Sequence, residues 1–344
     1  MKGKMILYGI GGAGINIVSD IKNDLMNLGE GFSDISVRTI DTTDKTVKKY
    51  DDLADTFYKV ESNKVSTNGL DGMAGERKNL DAVKSIQTSM KKYLDEVVGE
   101  NKKNEYHILI SSASGGSGSL INSILLSMLR QHDYNVLPVI VGDESTLLNI
   151  TNTINTIVGF NNIARKTNSA LGVFYISNSI NGVTTPKYEK EVNLDIKRYL
   201  SVVSMFVSGD VQDIDQQDMN NFFIPSRYKS FDVEPGIYRL GTKVSKMDDG
   251  NAIIVRTAII KGKDFTIDLP LLHNKVGTVM DTHIDVFGNK SFPVFLTLKK
   301  NEFNTVVETL QEDYKKLEAI KNTKSSTLEK LSDSVDDEEF GLVL

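Results

Sequence analysis

The chain has no cysteine and no tryptophan, and only four histidines and six prolines in 344 residues. Without thiols there is no disulfide scaffold and no thiolate metal site, which fits a reducing compartment. The histidines, His107, His132, His273 and His283, are scattered with no i, i+4 or other ligand spacing, so no zinc site is expected. His107, inside the strand-like run YHILI, reads as structural. No run of 18 or more apolar residues occurs, and the residues after Met1 do not form a charged, apolar and small-residue leader. Neither a membrane span nor export is expected, and the expected location is the cytoplasm. Lys and Arg form no patch interleaved with aromatics and the net charge is -6, so direct nucleic-acid binding is not expected.

What is present is a globular composition, 40% hydrophobic and 25% charged, able to bury one large core or two smaller ones. The charge is uneven. The last thirteen residues, SDSVDDEEFGLVL (332–344), hold Asp333, Asp336, Asp337, Glu338 and Glu339 and no base, leaving the rest of the chain at only -1. So short an acidic run cannot bury enough surface to order itself and reads as a solvated terminus. Its apolar end, Phe340, Leu342, Val343 and Leu344, favours a docking segment instead.

Strand and helix patterns alternate through the first half. MILYGI (5–10), DISVRTID (34–41), YHILIS (106–111), NVLPVIVG (135–142) and ALGVFYIS (170–177) read as strands. Between them, 14–29, 79–99, 119–132 and 148–167 carry apolar residues at helical period, which predicts an α/β fold with a parallel sheet covered on both faces. A long helix is expected from about Tyr188 to Ser208. Residues 230–298 then give short β-rich runs, GNAIIVRTAIIKG and SFPVFLTLKK, consistent with a smaller α+β domain. The expected organisation is a nucleotide domain over 1–187, a core helix over 188–208, an α+β domain over 209–298, a terminal helix over 299–331 and a tail over 332–344. The apolar positions of the terminal helix, Phe303, Val306, Val307, Leu310, Tyr314 and Leu317, are expected to pack on the second domain.

The functional signal lies at the C-terminal ends of the first-half strands, where open α/β sheets bind ligands. GIGGAGIN (9–16) presents backbone N–H groups and a helix N-terminus to an anion. Gly9, Gly11 and Gly14, with Asp41 ending the next strand, also satisfy a dinucleotide fingerprint, so a Rossmann-type enzyme is an alternative. Two further glycine loops, GLDGMAGERKN (69–79) and SASGGSGS (112–119), point to a ligand with several phosphates gripped from several sides. No GxxxxGK[ST] string supplies a Walker lysine. Phosphate charge must then be met by backbone dipoles, hydroxyls and a cation, for which Mg2+ is the natural candidate.

GIGGAGIN, GMAGERKN and SGGSGS in this order, followed by a long helix and the acidic DIDQQD, resemble the tubulin/FtsZ superfamily of GTPases. Within it the chain is most similar to the bacteriophage tubulins of the PhuZ type, through its GxAGxRK loop, its NTINT helix and its acidic tail with a hydrophobic end. The likeness covers most of the chain and is strongest over 5–222, with Ser114 standing where the family usually has a first glycine. The resemblance implies a Rossmann-like GTPase domain, a core helix and a smaller α+β domain, binding GTP or GDP with Mg2+. It implies that Gly11, Gly12, Ala13, Gly14 and Asn16 lie against the nucleotide and that Asp41 and Thr42 form the next loop. Ala74 and Gly75 would approach the γ-phosphate, while Gly115, Gly116, Ser117, Gly118 and Ser119 would wrap the α- and β-phosphates. Asn193 would read the guanine edge, and Tyr188 is a candidate stacking partner.

Asp215 and Asp218 match the family's acid pair, in a loop that completes the site of the next subunit. The implied function is a cytomotive filament, self-assembled head to tail, that positions viral DNA or assemblies in an infected bacterium, with the tail packed on the neighbouring subunit. A GTP-gated scaffold with little turnover is the non-enzymatic alternative.

Overall fold

MILYGI becomes a strand because its apolar residues are wanted on both sides. In β1 (Lys4–Ile10) Met5 and Leu7 enter one layer of the core and Ile6, Tyr8 and Ile10 the other, so the strand is buried on both faces. The computed structural model describes residues 2–61, 80–97, 105–168, 170–179, 182–223, 236–241, 254–263 and 274–333.

Around β1 lie β2 (Asp34–Asp41), β3 (Phe57–Lys59), β4 (Glu105–Ser112), β5 (Asn135–Gly142) and β6 (Gly172–Ser177), all parallel in the order β3-β2-β1-β4-β5-β6. The sheet does not stop there. β6 pairs with β7 (Gly236–Gly241) through Gly172 and Val173, and β10 (Val294–Lys299), β8 (Ile254–Lys261) and β9 (Asn274–Thr278) extend it to ten strands. Among the described strands only β10 runs antiparallel to its neighbours. The closeness needed at β6–β7 explains Gly172, where a Cβ would sit 1.9 Å from the Tyr238 ring.

The helices are α1 (Gly11–Met26), α2 (Leu80–Val97), α3 (Gly116–Gln131), α4 (Leu147–Lys166), α5 (Pro186–Ser208), α6 (Gln216–Phe223), α7 (Asp281–Phe287) and α8 (Glu302–Asp333). α1, α5 and α6 cover one face of the sheet; α2, α3, α4 and the start of α8 cover the other. α5 opens with Thr185 as N-cap and Pro186 in its first turn, then stops at Gly209, whose φ of 77° terminates it. The long helix expected from Tyr188 is therefore present and starts two residues earlier.

Two expectations are refined. The apolar stripe of α8 packs mainly on α4 and the first-half core, with Phe303 and Leu310 buried there, and meets the second-half strands at β7, where Ile237 shares its cluster and Arg239 pairs with Glu302. A helical stripe identifies residues that share a face but not the surface that covers them. The segment DIDQQDMNNFF is a loop only at its start, since Gln216–Phe223 forms α6 and buries Met219, Phe222 and Phe223. Ala74 and Gly75, with the rest of the 69–79 loop, and residues 334–344 of the acidic tail lie outside the described residues.

Candidate functional site

The two glycine loops that follow β1 and β4 meet. Gly11 has φ of 70°, and a Cβ there would fall 2.7 Å from Cα and 2.8 Å from N of Gly118. From the other side, a Cβ on Gly118 would lie 2.9 Å from the Ile10 carbonyl, and one on Gly14 only 2.2 Å from that of Ile110. Glycine is required here by contact between backbones, not by flexibility alone. At Ser114, by contrast, φ is not positive, so the turn accommodates serine where the resemblance leads one to expect glycine.

The result is two helix N-termini side by side at the C-terminal edge of the sheet. Neither α1 (N-cap Ile10) nor α3 (N-cap Gly115) has a side-chain cap, and neither has an acid in its first turn. α4 and α5, elsewhere in the fold, are capped by Thr146 and Thr185. Two uncapped termini leave first-turn N–H groups without intrahelical partners and add their dipoles, so the cradle suits a polyanion.

The strand ends supply the oxygens. Asp41, at the end of β2, is buried, and its carboxylate accepts the Thr42 N–H at 2.7 Å. Burial raises its pKa above the usual carboxylate range, against the opposing hydrogen bonds from Thr42 and Thr43. The Thr42 and Ser117 hydroxyls are 3.2 Å apart, which brings the loop after β2 onto the loop after β4. A Cβ on Gly12 would lie 3.1 Å from Thr46 Oγ1, while Ala13 is exposed. Ser119 is fully buried and turns its hydroxyl back to the carbonyls of Gly115 and Gly116, so it shapes the helix start.

Asn16 and Asn193 face the same seam between α1 and α5. Asn193 Nδ2 donates to Asp20 Oδ2 at 2.7 Å, and Asp20 lies one helical turn beyond Asn16. The Tyr50 hydroxyl donates to Asn16 Oδ1 at 3.0 Å. Asp20 and Tyr50 were missed from the sequence; for Asp20 the i, i+4 spacing from Asn16 was an available signal, whereas nothing local marks Tyr50. Tyr188 is half-buried against the core, and desolvation, followed by the charge of Glu144, pushes its phenol up.

Asp215 and Asp218 lie far from these groups. Asp215 precedes α6 and its Oδ1 accepts the Asp218 N–H at 2.7 Å; Asp218 Oδ2 faces the Asp215 N–H at 3.4 Å. The pair is a reciprocal cap on α6. Asp218 also holds Lys275 at 2.6 Å and is largely covered, whereas Asp215 is exposed. α6 docks through Asn220, whose side-chain oxygen accepts from the Tyr106 hydroxyl and from Asn135 Nδ2. Tyr106 and Asn135 sit at the N-terminal ends of β4 and β5, so the acids occupy the sheet edge opposite the glycine loops. The eight residues of β4 alone separate those edges by about 23 Å.

The overall fold, a ten-stranded and mostly parallel sheet covered by helices, is shared with solved proteins. The chain superposes on a protofilament of TubZ from bacteriophage PhiKZ with TM-score 0.71 and 17% identity, covering 99% of this chain and 95% of that one. It has the fold of the phage tubulins. The phage tubulin PhuZ with GDP gives TM-score 0.71 at 16% identity, again over 99% and 95% of the two chains. In sequence the chain is 24% identical over 300 residues to the phage tubulin-like protein of Pseudomonas phage 201phi2-1, covering 80% of this chain and 86% of that protein. No protein-family model matches it.

Proposed function

We propose that the protein is a cytomotive GTPase that polymerises head to tail with GTP and hydrolyses it between subunits. The observation that carries this reading is the separation of its two functional ends: an anion cradle at one edge of the sheet and an acid pair at the other. One molecule cannot bring them together without unfolding, but a head-to-tail contact between copies can, because such an interface joins unlike surfaces and repeats into a filament. The phage tubulin neighbours include protofilaments and a filament.

In this reading Gly11, Gly12, Ala13 and Gly14 with Gly115, Gly116, Ser117, Gly118 and Ser119 bind the phosphates, and Ala74 and Gly75 approach the γ-phosphate. Asn16 and Asn193 hold the base, for which Asn193 must exchange its Asp20 bond, and Tyr188 flanks it. Asp215 of the next subunit orients the attacking water, and Asp218 keeps its loop in place. The donor set fits Mg2+: Asp41, Thr42 and Ser117 put oxygens beside a cradle without a Walker lysine, and the ion would be held largely through phosphate oxygens and water. When bound, it neutralises charge on the transferring phosphoryl group.

The residue ranges 1–187, 188–208 and 209–298 would then act as nucleotide domain, core helix and activation domain, with 299–331 as the terminal helix. The tail, 332–344, would dock on a neighbour, its apolar end contributing more than its acids. The filament would work in the cytoplasm of an infected bacterium on viral DNA or assemblies. Light scattering with GTP, GDP, ATP and NAD tests the proposal. Only GTP is expected to give a rise with a concentration threshold, and a response to NAD instead would favour a dinucleotide enzyme.

A further inference from the structure

Buried amides and hydroxyls are costly unless bonded, so a polar face on a buried helix needs a reason. α4 has one. Asn152, Thr153 and Thr156 are 7%, 0% and 1% exposed, and they lie where the helix backs the glycine loop. Asn152 Nδ2 donates to the Ser114 carbonyl at 3.1 Å, and Thr156 Oγ1 donates to the Ala113 carbonyl at 2.8 Å while also lying 2.8 Å from the Asn152 carbonyl.

These are the two carbonyls that lead into the cradle. A trans peptide is planar, with its C=O and N–H pointing in opposite directions. The Ala113–Ser114 peptide is held at both ends, its carbonyl by Thr156 and its N–H by Ser112 Oγ at 3.2 Å. In the Ser114–Gly115 peptide the carbonyl is held by Asn152, which turns the Gly115 N–H to the side away from α4. Gly116 to Ser119, which follow directly, begin α3. With glycine at 115 and 116 the backbone has little intrinsic preference, and a flipped peptide would present a carbonyl oxygen to an anion. The rest of the α4 N-terminus is also engaged with its surroundings: Asn149 Nδ2 donates to Asp143 Oδ2 at 2.8 Å, beyond the end of β5.

We propose that Asn152, supported by Thr156, is a positioning residue that keeps the glycine-loop N–H groups turned towards the nucleotide phosphates. This deepens the nucleotide-site reading above and rests on it. α4 thereby sets phosphate affinity without touching the ligand.

Three full-length variants test it, each measured by titration with GTP and with GDP and by urea unfolding without nucleotide. Asn152→Asp keeps the shape but removes the donor, and Thr156→Val keeps the shape but removes the hydroxyl. Both are expected to bind GTP and GDP about tenfold or more weakly. Thr156→Ser, which restores the hydroxyl, is expected to bind like the wild type. A merely structural role would lower the urea midpoint while leaving the folded protein's nucleotide affinity unchanged, and that result overturns the proposal. Wild-type affinity in Asn152→Asp also overturns it. Should one variant fail to fold, the other decides, and a wild-type chain that binds neither nucleotide overturns this inference together with its parent reading.

Discussion

His107 and Gly11 show how single positions carry physical obligations that composition hides. His107 is fully buried, its Nδ1 2.9 Å from the Tyr8 hydroxyl, stacked on that ring and edge-on to Tyr134. Burial, with a smaller contribution from Lys4, lowers its pKa from 6.5 to about 3. The unfolded chain therefore binds a proton, below pH 6.5, that the folded chain refuses. Stability is full above that pH and falls with acidification, by up to about 1.4 kcal/mol per unit, or roughly 2 kcal/mol by pH 5. His283 shifts in the same direction. Urea midpoints at pH 7 and pH 5 should thus differ less in His107→Phe than in the wild type; an equal difference would place the acid sensitivity elsewhere. Gly11→Ala is expected to lose GTP binding in titration, because its Cβ would push apart the loops that meet at Gly118 and its φ of 70° costs an alanine about 1 to 2 kcal/mol.

At the scale of elements, α6 separates two uses of the same acids. The family resemblance implies a catalytic pair, but the pair also closes a helix N-terminus, and the two uses make different demands. A cap needs an oxygen; a group that polarises water needs its charge. Asp215→Asn keeps the cap, since Asn serves there as well as Asp. It is expected to leave the unfolding midpoint and GTP affinity nearly unchanged while phosphate release falls about 100-fold or more, with filaments that persist. Asp215→Ala should also lose about 1 kcal/mol of stability. Full turnover in Asp215→Asn would remove it from the chemistry.

Much of the first half was legible because buried parallel strands are near-continuous apolar runs; β5 matches NVLPVIVG residue for residue. β7, β9 and α7 were not: NKVGT and GIYRLG are short and lack a decisive period, and they become strands through β8 and β10. Within the cradle, the glycines could be located from sequence, but the contact between Gly11 and Gly118 and the hold of α4 on Ser114 depend on neighbours more than 35 residues away.

The whole molecule has unlike ends, a glycine-loop cradle and an acid pair, joined by α5, whose 23 residues span roughly 33 Å. This arrangement permits a test that no single-site reading passes. Gly118→Val should close the cradle, because a Cβ there meets the Ile10 carbonyl at 2.9 Å, yet it leaves the acid edge intact. Asp215→Asn disables the acid edge but keeps the cradle. Neither variant is expected to hydrolyse GTP alone. When they are mixed, an Asp215→Asn subunit can hold GTP while its Gly118→Val neighbour supplies the acid. In an equal random mixture about a quarter of head-to-tail contacts have that productive order. Phosphate release should therefore reappear on mixing and rise more steeply than linearly with total protein. If Asp215 instead served the nucleotide of its own subunit, the mixture would stay as inactive as its parts, and turnover per wild-type subunit would not change with dilution.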